Sequence, residues 1–167
     1  MNKAIDFECQ RCGLCCRNLL ETREDIKRGL PLTEKEVHLF SKELISPKLA
    51  IGVTEPNILV LCQLNVNVCP HINSKNECEK YKSRPLMCQS FPVVAGDLSN
   101  RCRIFSYRKV GFSYSDPYPM IKQMEASEKF NRYLGNRIKK HYQIGLKVWE
   151  YDLSIGKWVC RGLYDTL

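Results

Sequence analysis

The sequence predicts a small α+β domain in which short helices and a small antiparallel sheet follow a cysteine-rich N-terminal loop. Three observations predict this class: short apolar runs of strand length, one long segment with apolar residues at helical spacing, and turn-forming residues between them. With 167 residues, of which 44% are hydrophobic, the chain can bury a core without covalent crosslinks. We therefore expect residues 1–167 to form a single domain, in which region 7–102 contains most of the cysteines and region 103–167 completes the fold.

Capping residues predict two short helices after the N-terminal loop. In the first, Thr22 is a candidate N-cap and Gly29 a C-terminal stop. The second should span residues 34–44, because Thr33 and Glu36 can form a capping box and apolar residues then recur along one face.

Apolar patterning predicts the strands and one long helix. Residues 58–64 (ILVLCQL) are apolar and partly β-branched, as in a buried strand, and residues 101–110 (RCRIFSYRKV) alternate between polar and apolar side chains. Residues 120–142 carry apolar side chains at mostly helical spacing and should form a helix. Residues 146–164 indicate a hairpin that turns near residues 154–157.

The segment at residues 69–92 is rich in turn formers. We predict a turn at residues 73–76 and a single helical turn at residues 79–83, which ends because Pro85 disfavours helix at the residue before it. Pro85 can then open a further helical turn that contains Cys88.

Hydropathy and charge constrain location and partners. The longest strictly apolar run, residues 58–62, is far shorter than the roughly 20 residues that cross a bilayer. The first residues show no basic segment followed by an apolar stretch and a cleavage site. We therefore expect a cytoplasmic protein with no membrane partner. The formal net charge is +8, but no basic stripe is interleaved with aromatic residues, so we do not expect nucleic acid as a partner.

The ten cysteines are the strongest chemical signal, because Cys9, Cys12, Cys15 and Cys16 lie within eight positions. In a reducing cytosol, such a dense pattern indicates metal binding or catalysis. Cys9, Cys12 and Cys15 have the spacing C-x2-C-x2-C, by which one loop can place three thiolates around an iron–sulfur cluster or a metal ion. Leu19 occupies the position of the fourth cysteine in the bacterial ferredoxin pattern, so a fourth ligand must come from elsewhere. The spacing favours an iron–sulfur cluster of the 4Fe–4S type and leaves zinc open.

A wider pattern extends from residue 7 to residue 92 and comprises FECQRCGLCC, CPHI and CEKYKSRPLMCQSFP. It resembles the CxxCxxCC cysteine-cluster family, also called YkgJ-like, whose members are described as zinc- or iron-chelating proteins. Besides the N-terminal cysteines, the matching residues are Cys69-Pro70, Cys78, Tyr81, Arg84-Pro85, Cys88 and Phe91-Pro92. Gln89 stands where the family often has arginine, and His71 where it often has an aromatic residue.

The resemblance implies eight cysteine ligands, of which the matched motifs supply seven. Cys102 is our candidate for the eighth, because the arginines on either side of it can offset thiolate charge. The expected metal ligands are therefore Cys9, Cys12, Cys15, Cys16, Cys69, Cys78, Cys88 and Cys102. Cys62 and Cys160 lie in predicted apolar strands and are expected to be buried thiols outside the site. His71 is expected at the surface, whereas Arg84 can be either a surface residue or a hydrogen-bond donor to a metal-bound sulfur.

Three classes of function fit these observations. The favoured class is a protein whose iron–sulfur cluster or zinc ion serves electron transfer, redox sensing or metal handling. The second is an enzyme or accessory protein, since flagellin lysine methylases contain a similar domain. The chain nevertheless lacks a Gly-rich nucleotide loop and the C-x3-C-x2-C signature of radical S-adenosylmethionine enzymes. The third is a structural zinc module that presents an interaction surface to another protein.

Overall fold

The computed structural model of the protein describes residues 9–94, 97–99, 102 and 120–166. The helices are α1 (Leu14–Arg17), α2 (Leu86–Ser90) and α3 (Ile121–Lys140). The strands are β1 (Glu21–Arg23), β2 (Ile26–Arg28), β3 (Leu30–Leu32), β4 (Ile45–Gly52), β5 (Ile58–Leu64), β6 (Val93–Val94), β7 (Asp97–Leu98), β8 (Lys147–Asp152) and β9 (Lys157–Leu163). Short 3₁₀ helices lie at Val37–Leu39, Lys42–Leu44, Tyr81–Ser83 and Tyr164–Thr166.

An antiparallel sheet of five strands, in the order β3-β5-β4-β8-β9, forms the centre of the molecule. Two separate antiparallel pairs, β1-β2 and β6-β7, flank it. This arrangement confirms the predicted α+β class with a small antiparallel sheet. None of the helices in the described ranges combines the length and apolar character that a membrane crossing requires.

Two apolar clusters hold these elements together. In the first, side chains of β4, β5 and β8 pack against Phe130 and Ile138 of α3, and all of them are buried. The second contains Leu19, Leu32, Phe40 and Leu64 and joins the N-terminal loop to the edge of the sheet. Because burial of apolar surface is the main favourable contribution to folding, Leu19 in this second cluster helps to hold the cysteine-rich loop against the rest of the domain.

Most of the strands, the long helix and one turn agree with the sequence-based predictions. β5 spans the residues predicted for the buried strand, and α3 lies within the predicted helix at residues 120–142. The predicted hairpin is formed by β8 and β9. The turn at residues 73–76 is confirmed by the bond from Asn76 N to Asn73 O, and α2 begins after Pro85 as predicted. The strand predicted at residues 101–110 lies, except for Cys102, outside the described residues.

The helix predicted between Thr22 and Gly29 is wrong, because this segment is the hairpin β1-β2. Glu24 and Asp25, at its turn, have φ angles of 51° and 59°. Two consecutive left-handed residues form the tight turn whose twist matches that of antiparallel strands. Long-range contacts stabilise the hairpin, since Lys27 N donates to Asp152 Oδ1 at 3.1 Å and Leu153 N donates to Lys27 O at 3.0 Å.

The continuous helix predicted at residues 34–44 is also wrong, although its capping residues interact. Glu36 Oε2 accepts hydrogen bonds from Thr33 N and Thr33 Oγ1, both at 2.8 Å, as in a capping box. The chain nevertheless forms two separate 3₁₀ helices, with Phe40 extended between them and buried in the second apolar cluster. Glu36 Oε1 accepts from Leu86 N at 2.6 Å, so the same carboxylate also caps α2. Tertiary contacts outweigh the local preference for helix here.

Candidate metal centre

Six cysteines line a single cavity of about 280 Å³. They come from three segments of the chain that are distant in sequence: the N-terminal loop, the loop before α2, and α2 itself. The six are Cys9, Cys15, Cys16, Cys69, Cys78 and Cys88. The remaining lining includes the apolar side chains of Leu19, Phe40 and Met87 and the cationic side chains of Lys80 and Arg84.

Backbone hydrogen bonds attach the N-terminal loop to the segment that contains Cys69. Cys69 N donates to Cys16 O at 2.7 Å, and Leu19 N donates to Asn67 O at 3.0 Å. Side chains add two further links. Arg17 Nη2 donates to Asn76 Oδ1 at 2.7 Å, and Arg11 forms an ion pair with Glu77. Two cysteines that are more than fifty positions apart in the sequence are therefore neighbours at the cavity wall.

Gly13 permits the close approach of these two segments. Its φ angle is 74°, in the left-handed region that other residues rarely adopt. A Cβ atom at this position would lie only 2.9 Å from Ile72 Cδ1 and 3.1 Å from Asn76 Oδ1. The glycine between Cys12 and Cys15 is thus favoured by the backbone conformation, and a larger residue would also displace the end of the Ile72 side chain.

The second cysteine segment has a compact turn of its own. Asn73 Oδ1 accepts from Lys75 N and Glu77 N, each at 2.9 Å, and Ile72 pairs with Cys78 in an isolated antiparallel bridge. These contacts bring Cys78 back toward Cys69. Cys88 lies on α2, whose first turn is closed by the bond from Cys88 N to Pro85 O at 2.9 Å.

Cys15 and Cys16 form a closely coupled pair of thiols with an Sγ–Sγ distance of 3.8 Å. The hydrogen bond from Cys15 lowers the pKa of Cys16 to about 7, even though burial acts in the opposite direction, and Arg84 and Arg17 contribute further. The same hydrogen bond, together with burial, raises the pKa of Cys15 above its usual range. Cys16 is therefore the more acidic thiol of the pair.

Burial is the largest influence on the pKa values of the cysteines in the other segments. It raises the pKa of Cys69 to about 11, although a backbone hydrogen bond from His71 partly offsets this. Burial also raises the pKa values of Cys78 and Cys88. Because a thiolate is the form that binds metal, binding at these positions requires loss of their protons.

Arg84 is held beside the cysteines by contacts to the backbone and to a ring. Its Nε donates to Tyr81 O at 2.9 Å, its Nη1 donates to Cys88 O at 3.4 Å, and its guanidinium carbon lies 3.9 Å from the centroid of the Tyr81 ring. Its charge lowers the pKa of Cys16. Of the two roles considered for Arg84, the structure thus shows a half-buried cation that acts on the thiols through its charge and hydrogen-bonds to backbone oxygens.

His71 is half-buried, whereas the sequence led us to expect it at the surface. Its Nε2 donates to Leu39 O at 2.6 Å, and its ring centroid lies 5.0 Å from that of Phe40. The residue lines the cavity and joins the cysteine loop to the second apolar cluster. Its position beside a proline in a loop gave no signal of this contact.

The other four cysteines do not line the cavity. Cys12 is half-buried, and Cys102 is buried with Val93 and Met120 in a cluster that packs against Phe91. Their predicted role as ligands stays a prediction. Cys62 is half-buried on β5. Cys160 is exposed on β9, so the expectation that it is buried is wrong.

The thiols surround the cavity without converging on one point. None of the ten cysteines forms a disulfide, and within the described residues no three cysteine, histidine or carboxylate side chains are placed to hold one ion. The chemistry of the donor set nevertheless fits a soft metal centre, because thiolate sulfur selects zinc and iron–sulfur clusters. Cysteine side chains also have alternative staggered rotamers through which their sulfur atoms can approach a common ligand.

Only part of the support for this arrangement is visible in the sequence. Glu36, Asn73 and Asn76 fix the loops, and Phe40 and Leu19 contribute to the apolar lining of the cavity. The capping box at Glu36, the turn at residues 73–76 and Gly13 in the cysteine motif each carried a local signal. Phe40 and Leu19 act through contacts between distant segments, which local patterns do not report.

A cavity walled by thiols from three segments defines a cysteine-cluster protein that binds metal. The family model CxxCxxCC, described as "Putative zinc- or iron-chelating domain", matches residues 8–133, and the chain therefore belongs to this family. The match confirms the resemblance drawn from the cysteine motifs and supports metal binding. No curated protein and no solved structure gives a significant match.

Proposed function

We propose that the six cysteines at the cavity bind an iron–sulfur cluster and that the protein acts in redox chemistry, sensing or metal handling. The observation that carries the proposal is the presence of Cys9, Cys15, Cys16, Cys69, Cys78 and Cys88 around one cavity. A single tetrahedral ion takes four ligands, so six thiols and a cavity of about 280 Å³ favour a centre with more than one metal atom. The C-x2-C-x2-C spacing of the N-terminal loop also favours a cluster.

The surrounding residues would perform three tasks for such a centre. Arg84 and Arg17 offset the negative charge of the thiolates, as their effect on the pKa of Cys16 shows. The apolar lining, which includes Phe40 and Met87, lowers the local dielectric and limits access of water. The hydrogen bond from Cys69 N to Cys16 O holds the N-terminal loop beside the loop that contains Cys69. An iron–sulfur cluster, when bound, would supply one-electron transfer.

Zinc is the second candidate, and one distance favours it. Two thiolates on the same tetrahedral zinc ion, each about 2.3 Å from it, lie about 3.8 Å apart. The Sγ atoms of Cys15 and Cys16 are separated by 3.8 Å. If zinc is the resident metal, its contribution is mainly to stabilise the fold, and the protein would serve as a structural or metal-handling module.

Anaerobic purification followed by absorption spectroscopy and metal analysis distinguishes the two centres. An iron–sulfur protein is brown, absorbs broadly in the visible region, and contains iron and acid-labile sulfide. Bleaching of this absorbance by dithionite would support a redox role. A colourless protein with bound zinc would refute the cluster and leave the zinc alternative.

Two serine variants test the ligand assignment under matched conditions. Cys69 and Cys62 are both half-buried and both pack against the second apolar cluster, but only Cys69 lines the cavity. We expect Cys69→Ser to lower the metal content per chain and Cys62→Ser to leave it unchanged. Equal metal content in the two variants would contradict the proposed site. The cytoplasmic location and the single-domain organisation inferred from the sequence stay predictions.

A further inference from the structure

Four large apolar side chains are exposed at one corner of the molecule. The end of α3, the start of β8 and the end of β9 lie at this corner. Ile144, in the loop after α3, is 93% exposed. Tyr142, Leu163 and Tyr164 are 47%, 43% and 36% exposed. We refer to these four residues as the apolar corner. Single exposed apolar residues are common, but several that are exposed in neighbouring segments indicate an interaction site.

The fold holds the apolar corner in place. Tyr164 N donates to Leu146 O at 2.8 Å, and Leu146 N donates to Gln143 O at 3.1 Å. Leu146 itself is buried in the first apolar cluster and so anchors the loop. The rings of Tyr142 and Tyr164 meet edge to face, with centroids 6.2 Å apart. The exposure of Ile144 is therefore built into the fold.

Basic residues flank the apolar corner in the chain. Lys139 and Lys140 are exposed in the last turn of α3, and Lys147 begins β8 immediately after the loop. Two acidic residues among those that the structure describes lie near this corner. Asp165 accepts a hydrogen bond from Tyr142 Oη at 2.9 Å, and Glu55 is exposed in the turn after β4, beside Gly145 and Lys147. The three lysines outnumber these two carboxylates, so the corner favours an anionic partner.

We propose that the apolar corner docks on an anionic phospholipid surface, with Ile144 entering the boundary between headgroups and acyl chains. A protruding aliphatic side chain can be buried in a matching pocket of another protein or among the lipids of a bilayer. Lipids rearrange around an inserted side chain, so a bilayer needs no matching pocket. Tyrosine is enriched at membrane interfaces, and lysines beside the inserted group attract anionic headgroups. Peripheral docking of this kind needs no spanning helix, so it departs only from the expectation of no membrane partner.

The proposal goes beyond the metal centre and does not depend on it. Its test is sedimentation of the metal-loaded protein with vesicles of phosphatidylcholine alone or of phosphatidylcholine with phosphatidylserine. We expect binding to the anionic vesicles only, weakening as salt is added. Ile144→Asp should lower the partition coefficient about tenfold or more, and the double variant Lys139→Glu/Lys140→Glu should lower it to a similar degree.

Two matched controls separate this surface from general effects of charge and hydrophobicity. Ile155 is 58% exposed at the opposite end of the β8-β9 hairpin, and Lys129 is exposed near the middle of α3. We expect Ile155→Asp and Lys129→Glu to bind like the wild type, within about twofold. Circular dichroism verifies that each variant is folded.

Three results would overturn the proposal. The first is failure of the wild type to bind anionic vesicles. The second is wild-type binding by Ile144→Asp, and the third is an equal loss in the control variants. Binding to soluble polyglutamate without binding to vesicles would also overturn it, and would assign the corner to an acidic protein partner.

Discussion

Replacing Lys48 with methionine should stabilise the protein at neutral pH. Lys48 lies half-buried on β4, close to the ion pair in which Arg28 Nη2 donates to Glu150 Oε2 at 2.8 Å. Burial lowers the pKa of Lys48 from 10.5 to about 8, and the charge of Arg28 adds to this effect, while Glu150 acts against it. Glu150 already has Arg28 and Arg161 as cationic partners, so it does not require Lys48.

The magnitude and the pH window follow from proton binding. Between about pH 8 and 10.5 the unfolded chain binds more protons at Lys48 than the folded protein does. The free energy of unfolding therefore rises with pH across this window, and the full cost of burying the charged lysine is present below it. A pKa difference of about 2.5 corresponds to about 3 kcal/mol. Since the side chain is only half-buried, solvent screening reduces the expected cost to about 2 kcal/mol.

Urea denaturation of the metal-loaded wild type and Lys48→Met, followed by circular dichroism, measures this cost. We expect the variant to be more stable by about 2 kcal/mol near neutral pH, with a difference that shrinks as the pH rises toward 10.5. Comparison with the wild type at each pH removes the contribution of the cysteines, which is common to both proteins. Lys42→Met, at an exposed position, is the control and should change stability little. A stabilisation that is independent of pH, or none at all, would refute the reasoning.

Three other predictions concern the cysteine-rich loops. Gly13→Ala should destabilise the protein by about 1–3 kcal/mol and lower its metal content, because the new alanine would have a left-handed φ and its Cβ a 2.9 Å contact with Ile72 Cδ1. The control is Gly135→Ala, whose new Cβ would have no atom within 4 Å. This control should raise the melting temperature in thermal denaturation. Glu36→Ala removes the acceptor of three hydrogen bonds and should lower the free energy of unfolding by about 2–3 kcal/mol in urea titrations, so a loss below about 0.5 kcal/mol would contradict the structural role of this carboxylate. If Cys12 and Cys102 are ligands as the sequence predicts, serine at either position lowers the metal content measured by elemental analysis; unchanged content in both would restrict the centre to the six cysteines at the cavity.

Local sequence patterns predicted the elements whose own residues carry a clear apolar pattern. β5 is a continuous apolar run, α3 has apolar residues at helical spacing, and the β8-β9 hairpin has the predicted strands and turn. The segments after the N-terminal loop were predicted as helices because their capping residues favour helix. The hairpin β1-β2 instead gains hydrogen bonds to β8 and the turn that follows it, and Phe40 gains burial. Contacts between residues more than a hundred positions apart do not appear in a local pattern.

The sequence by itself determined the chemistry of the candidate site, because the number, type and spacing of the cysteines indicate a thiolate-bound metal whatever the fold. Only the tertiary structure decided which thiols share a cavity. Cys62 and Cys69 are seven positions apart, yet Cys69 reaches the cavity and Cys62 does not, because the chain turns at the end of β5 and is tied to the N-terminal loop by the hydrogen bond to Cys16. The direction in which a side chain points is set by contacts with residues distant in sequence, and those contacts exist only once the chain has folded.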